Sequence, residues 1–187
     1  MLTRASLAQR EHGLCLRVNG WCAYRAVRLY FKAVSRLGDG VFWYAMMAAL
    51  AVVDGERGLH AAAHMAVVGG VAAILYRRMK GYYRRARPCH RDPAVRAWVA
   101  PLDEFSFPSG HTLHAVSFAL VALAHYPGFA PWLIPFAASI AASRVFLGVH
   151  YPSDVLAATG IGAALAGLAL WLVPGVSLFA PGAGLLG

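Results

Sequence analysis

At 187 residues, 59% hydrophobic and only 13% charged, with a mean hydropathy of +0.56, the chain is too apolar for a soluble domain and reads as a helical membrane protein. The 17 Lys and Arg outnumber the 8 Asp and Glu for a net charge of +9, yet they cluster beside apolar stretches without the aromatic interleaving of a nucleic-acid module, which excludes nucleic acid as a partner. Cys15, Cys22 and Cys89 fall at no metal-ligand spacing and cannot all pair, so they carry neither a zinc nor a disulfide message.

The N-terminal MLTRASLAQREHG is polar for too long to be a cleavable signal peptide. In residues 20–36 the cations Arg25, Arg28, Lys32 and Arg36 recur at spacings of 3, 4 and 4, opposite Val27, Phe31 and Val34. That pattern predicts an amphipathic helix lying in the membrane interface; the alternative is a sixth span packed inside the bundle, which would bring four cations into the bilayer. Five apolar stretches follow, at 41–53, 59–76, 111–126, 131–149 and 153–173. Each is predicted to span, although most are near or below the roughly 20 residues that cross a bilayer. Gly69-Gly70 and Gly160-Ile161-Gly162 are expected at close helix contacts, and the terminal SLFAPGAGLLG is expected to fray at the membrane surface. The predicted fold is all-α: one membrane domain over 1–187, with an interfacial segment at 1–36 and a multispan helix bundle at 37–187.

Because spans alternate in direction, KGYYRRARP (80–88), FPSGH (107–111) and SRVFLGVHYPSD (143–154) return to one membrane face. Pro108 suits a first helical turn, so Ser109, Gly110 and His111 present free backbone amides at the positive end of a helix, an anion cradle. Gly110 lets a phosphate approach the backbone, while Lys80, Arg87 and Arg144 supply one point charge and two planar forks. Asp154, in the first turn after Pro152, can reach His150 and set its tautomer, leaving the other ring nitrogen as base or nucleophile. His111 can then protonate a leaving oxygen. Other cations of this region, Arg77, Arg78, Arg84, Arg85, Arg91 and Arg96, read as interfacial anchors, and Asp103 and Glu104 as solvated, the alternative being a bond to a loop arginine. His114, one turn below His111, reads as pocket wall or support, and His60, His64 and His125 as polar packing near the opposite face.

In this order and spacing, Lys80-x6-Arg87-Pro88, Pro108-Ser109-Gly110-His111 and Ser143-Arg144-x5-His150-x3-Asp154 resemble the three signature motifs of the type 2 phosphatidic acid phosphatase (PAP2) superfamily, which also includes vanadium haloperoxidases and bacterial acid phosphatases. The resemblance implies a PAP2-like bundle and a phosphatase without metal or cofactor. In it His150 attacks phosphorus, Asp154 orients His150, and His111 protonates the leaving group. Lys80, Arg87, Ser109, Gly110 and Arg144 would hold the phosphoryl oxygens.

The expected substrate is a lipid phosphate or diphosphate of the polyprenyl diphosphate, phosphatidate or phosphatidylglycerophosphate class. Membrane lipids are the other expected partner. Alternatives are a lipid phosphotransferase using the same intermediate and a non-enzymatic anion-binding protein or transporter. The expected location is a bacterial inner membrane. Seven cations lie in the N-terminal segment, eight lie between Arg77 and Arg96, and only Arg57 lies opposite, which points the site to the cytoplasm.

Overall fold

A computed structural model describes residues 4–173, and every element in it is helical: α1 (Arg4–Gly20), α2 (Arg25–Gly38), α3 (Val41–Val53), α4 (Gly55–Tyr83), α5 (Pro88–Arg91), α6 (Gly110–His125), α7 (Ala130–Phe146) and α8 (Pro152–Leu172), with short 3-10 turns at Trp21–Ala23 and Pro127–Phe129. The terminal segment expected to fray lies outside the described residues.

The axis of the bundle is α6, whose Leu113, Ala115, Phe118, Ala119, Val121 and Ala122 are all buried. Apolar on every side, it is wrapped by α4, α7 and α8. Small residues set the closest approaches. A Cβ on Gly162 of α8 would lie 2.9 Å from the Leu113 carbonyl oxygen, and one on Gly69 of α4 would lie 2.7 Å from the Phe118 ring. Gly70 and Gly160, expected at such contacts too, face open space instead.

All five predicted spans are helices, but their count as spans is approximate. Three segments are long and apolar enough to cross a membrane: Gly55–Arg91, Pro127–Phe146 and Pro152–Leu172. A fourth is reached if α2 and α3, which meet at a 50° bend, act as one broken span. With 13 and 16 residues, α3 and α6 fall short alone. The short α6 is tolerable because protein, not lipid, surrounds it.

The N-terminal segment holds the main surprise. Residues 4–20 form a helix, and polar side chains dock it: His12 meets Asp92 at 2.7 Å, and the Asn19 amide donates to the carbonyls of Arg96 and Phe146, both at 2.9 Å. No apolar stripe announces α1, since its anchors are hydrogen bonds to a distant loop. The ties from α2 run to the C-terminal turns of α7, through Tyr30 to Ser139, Ser35 to Arg144 and Phe31 to Phe146. At the far end of the bundle, His64 and His125 lie 3.3 Å apart, and the His125 carbonyl accepts from Arg57. Among the described residues no three His, Cys, Asp or Glu are arranged to hold a metal.

Candidate active site

Three chain reversals build the site at one end of the bundle. Arg84, in the left-handed conformation (φ 44°), ends α4, and extended Arg87 starts α5 with Pro88 behind it. Ser109 caps α6, its Oγ accepting from the Thr112 amide. The turn after α7 passes through Gly148 (φ +77°), where a Cβ would fall 2.5 Å from the Arg96 carbonyl oxygen, so only glycine fits. The loop before α6 is pinned at Trp98, whose amide donates to Leu147 and whose ring lies between the guanidiniums of Arg28 (4.9 Å) and Arg96 (4.3 Å).

A cavity of about 740 Å³ opens between these reversals, lined by Lys80, Arg87, Gly110, His111, Arg144 and His150 among others. Lys80, Arg87 and Arg144 are only 6%, 1% and 3% exposed. Cations this deeply buried require anionic or acceptor partners, and the geometry leaves room for one. The Arg144 guanidinium gives one N–H to Ser35, while its Nε has no partner among the described residues.

Arg87 donates to the Val149 carbonyl (2.7 Å) and meets His150 Nε2 at 3.3 Å. A guanidinium can only donate, so Nε2 carries the lone pair and the ring proton sits on Nδ1. Nδ1 faces Asp154 Oδ2 at 3.6 Å, beyond hydrogen-bond range but with Asp154 fully buried behind it. Desolvation first, then the charges of Arg144, Arg87 and Lys80, press the His150 pKa well below the ordinary imidazole value. The result is a neutral imidazole whose unprotonated Nε2 faces a cage of cations.

The model of the PAP2 superfamily matches residues 57–177, well over half of the chain and all of this machinery. The chain belongs to the PAP2 superfamily. A PAP2 relative, decaprenylphosphoryl-5-phosphoribose phosphatase of Mycobacterium tuberculosis, is 33% identical over 135 residues, 71% of this chain and 72% of its own. Among solved PAP2 structures, the phosphatidylglycerolphosphate phosphatase of Bacillus subtilis superposes with a TM-score of 0.73 at 22% identity, covering 95% of this chain and 90% of the other. Aquifex aeolicus LpxE gives 0.72 at 24% identity, covering 83% and 92%. These likenesses establish a membrane PAP2 phosphatase fold, and the chain is a PAP2 hydrolase of lipid phosphates.

Not every expected residue of this PAP2 site reaches the cavity. The Ser109 hydroxyl is buried against Thr112 Oγ1 (2.9 Å) as a helix cap, and its amide donates to the Asp154 carbonyl. Asp154 likewise stands behind the wall rather than on it. His114 lines the cavity and contacts the carbonyls of Gly110 (2.9 Å) and Gly69 (3.2 Å).

Three side chains do more than the sequence predicts. Asp103, expected to be solvated with a loop arginine as the alternative partner, takes Lys80 on both oxygens (2.7 and 2.6 Å) and Arg87 on one (2.7 Å). Burial works to raise its pKa, but these cations outweigh that and hold it below the ordinary carboxylate value. Arg85, read as a lipid anchor, instead binds Asp154 Oδ1 at 2.6 Å. Asp39, at the bend between α2 and α3, bonds His111 Nε2. The only sequence signal for Asp39 is an Asp-Gly pair between two helices, an ordinary turn.

Proposed function

We propose that His150 Nε2 attacks the phosphorus of a lipid phosphate at the membrane surface and forms a phosphohistidine. As the Nε2–P bond forms, the P–O bond to the lipid breaks and His111 gives its proton to the leaving oxygen. Water then attacks phosphorus, His111 takes its proton, and the N–P bond breaks to release phosphate. Lys80, Arg87, Arg144 and the Gly110 amide hold the phosphoryl oxygens, and the incoming phosphate displaces Asp103 from Lys80 and Arg87. Ser109 contributes by capping α6 with its hydroxyl rather than by binding phosphate with it. The observation that carries this reading is the unprotonated Nε2 of a buried histidine set among three buried cations, across the cavity from a second histidine.

The substrate class proposed is a phosphate or diphosphate of a polyprenyl, phosphatidyl or phosphatidylglycerol lipid, in keeping with the relatives' names. Phosphate release by purified protein in detergent, over a panel of such lipids, tests it. At least one should be hydrolysed, with the rate unchanged in excess chelator because buried cations supply the charge that metals provide elsewhere. No release from any of them, or loss in EDTA restored by Mg²⁺ or Zn²⁺, overturns the reading.

The whole chain is taken as one catalytic unit in a bacterial inner membrane, with 1–36 along the interface and the site facing the cytoplasm. The contacts of α1 and α2 with the catalytic loops support this, because they gather the N-terminal cations on the catalytic side, against Arg57 opposite. Cys89 reports on it, half-buried in the catalytic loop, whereas Cys15 and Cys22 are buried. With the latter two replaced by Ser, an impermeant maleimide should label Cys89 only after the membrane is opened. Labelling in intact spheroplasts would put the site outside.

A further inference from the structure

Behind the nucleophile lies a chain of charges that the motifs do not contain. The buried Asp154 carboxylate takes the Tyr151 amide on Oδ2 (2.9 Å) and Arg85 on Oδ1 (2.6 Å). Arg85 also donates to Ser153 Oγ (2.7 Å), and its guanidinium lies 4.1 Å from the centre of the Tyr151 ring. Its other terminal nitrogen is held at 2.8 Å by Glu11, whose other oxygen accepts from the Ser153 amide at 2.7 Å. Glu11 belongs to α1, outside the segment that matches the family model.

This arrangement has an electrostatic consequence. A carboxylate that stabilises an imidazole during attack works by its negative charge, because positive charge develops on the ring as Nε2 bonds to phosphorus. Arg85 alone on Asp154 would cancel that charge. With Glu11 on the opposite side of the same guanidinium, the group Glu11, Arg85 and Asp154 returns to a net charge of −1, placed behind His150 and opposite the cations of the cavity. Glu11 also ties Arg85 to the first turn of α8, the turn that carries Asp154.

We propose that Glu11 is a positioning residue for phosphoryl transfer: by sharing Arg85 it leaves Asp154 its field on His150 and holds the carboxylate in place. The inference rests on His150 being the nucleophile. It makes α1 part of the catalytic machinery.

The test is pre-steady-state release of p-nitrophenol from p-nitrophenyl phosphate by the full-length protein in detergent. There the burst rate reports phosphoenzyme formation and the burst amplitude counts active molecules. Glu11→Gln keeps the shape but removes the charge, and its burst rate should fall about tenfold with KM and amplitude unchanged. A merely structural role would lower the amplitude and leave the rate alone. Asp92→Asn, which loosens α1 at His12 without touching Arg85, should keep the wild-type burst rate. His150→Ala separates the two layers. A burst in that variant, or wild-type protein that yields no phosphohistidine on alkaline quench, defeats the nucleophile assignment and the inference with it. With His150→Ala silent, a wild-type burst rate in Glu11→Gln, or an equal loss in Asp92→Asn, defeats the role of Glu11 alone.

Discussion

His150→Ala should lower turnover by at least about 10⁴-fold while the protein keeps its helical content and its migration as a folded species in detergent. The side chain is 2% exposed, and its unprotonated Nε2 meets Arg87 in the cavity that Lys80 and Arg144 also line. A rapid alkaline quench, which preserves phosphohistidine, should trap labelled protein in wild type and none in the variant. Turnover within tenfold of wild type would assign the nucleophile elsewhere. The pH dependence follows from the same residue. Because burial and the three cations depress its pKa, His150 stays neutral through the ordinary imidazole range, so kcat/KM should lose its nucleophile only at pH values below about 6.5.

Arg87→Ala is expected to cost about 10²–10³-fold in kcat/KM, the usual loss when a donor aimed at a developing phosphoryl charge is removed. Arg87 serves Val149, His150 and Asp103 at once, so Lys, with one compact ammonium, should restore little. The variant carries a second signature. Arg87 is one of the charges that depress the His150 pKa, so its removal should raise that pKa and move the acid limb of kcat/KM to higher pH. Activity within about threefold of wild type, with the acid limb unmoved, would remove Arg87 from the site.

The membrane class, the five apolar helices and the meeting of three loops on one face were all legible in the chain, because hydropathy and alternation of direction are local properties that add up along it. So were Lys80, Arg87, His111, Arg144, His150 and Asp154, whose spacing is a matter of sequence. Span count was less secure: α6 is too short to be identified by length, and it survives because α4, α7 and α8 wrap it.

What only the tertiary structure decided is the partnership of charges. Arg85 is one of eight Lys and Arg in the stretch from Arg77 to Arg96, and nothing in its neighbours distinguishes an anchor from the partner of Asp154. Asp103 meets Lys80 across 23 residues, Asp39 meets His111 across 72 and Glu11 meets Arg85 across 74. Such pairs leave no periodic mark, because each partner satisfies only its own local geometry and the contact exists once the helices have packed. Ser109 shows the converse. Its place in the motif is plain from sequence, but whether its hydroxyl serves a phosphate or caps a helix depends on which donor the folded backbone brings within reach, and here that is the Thr112 amide.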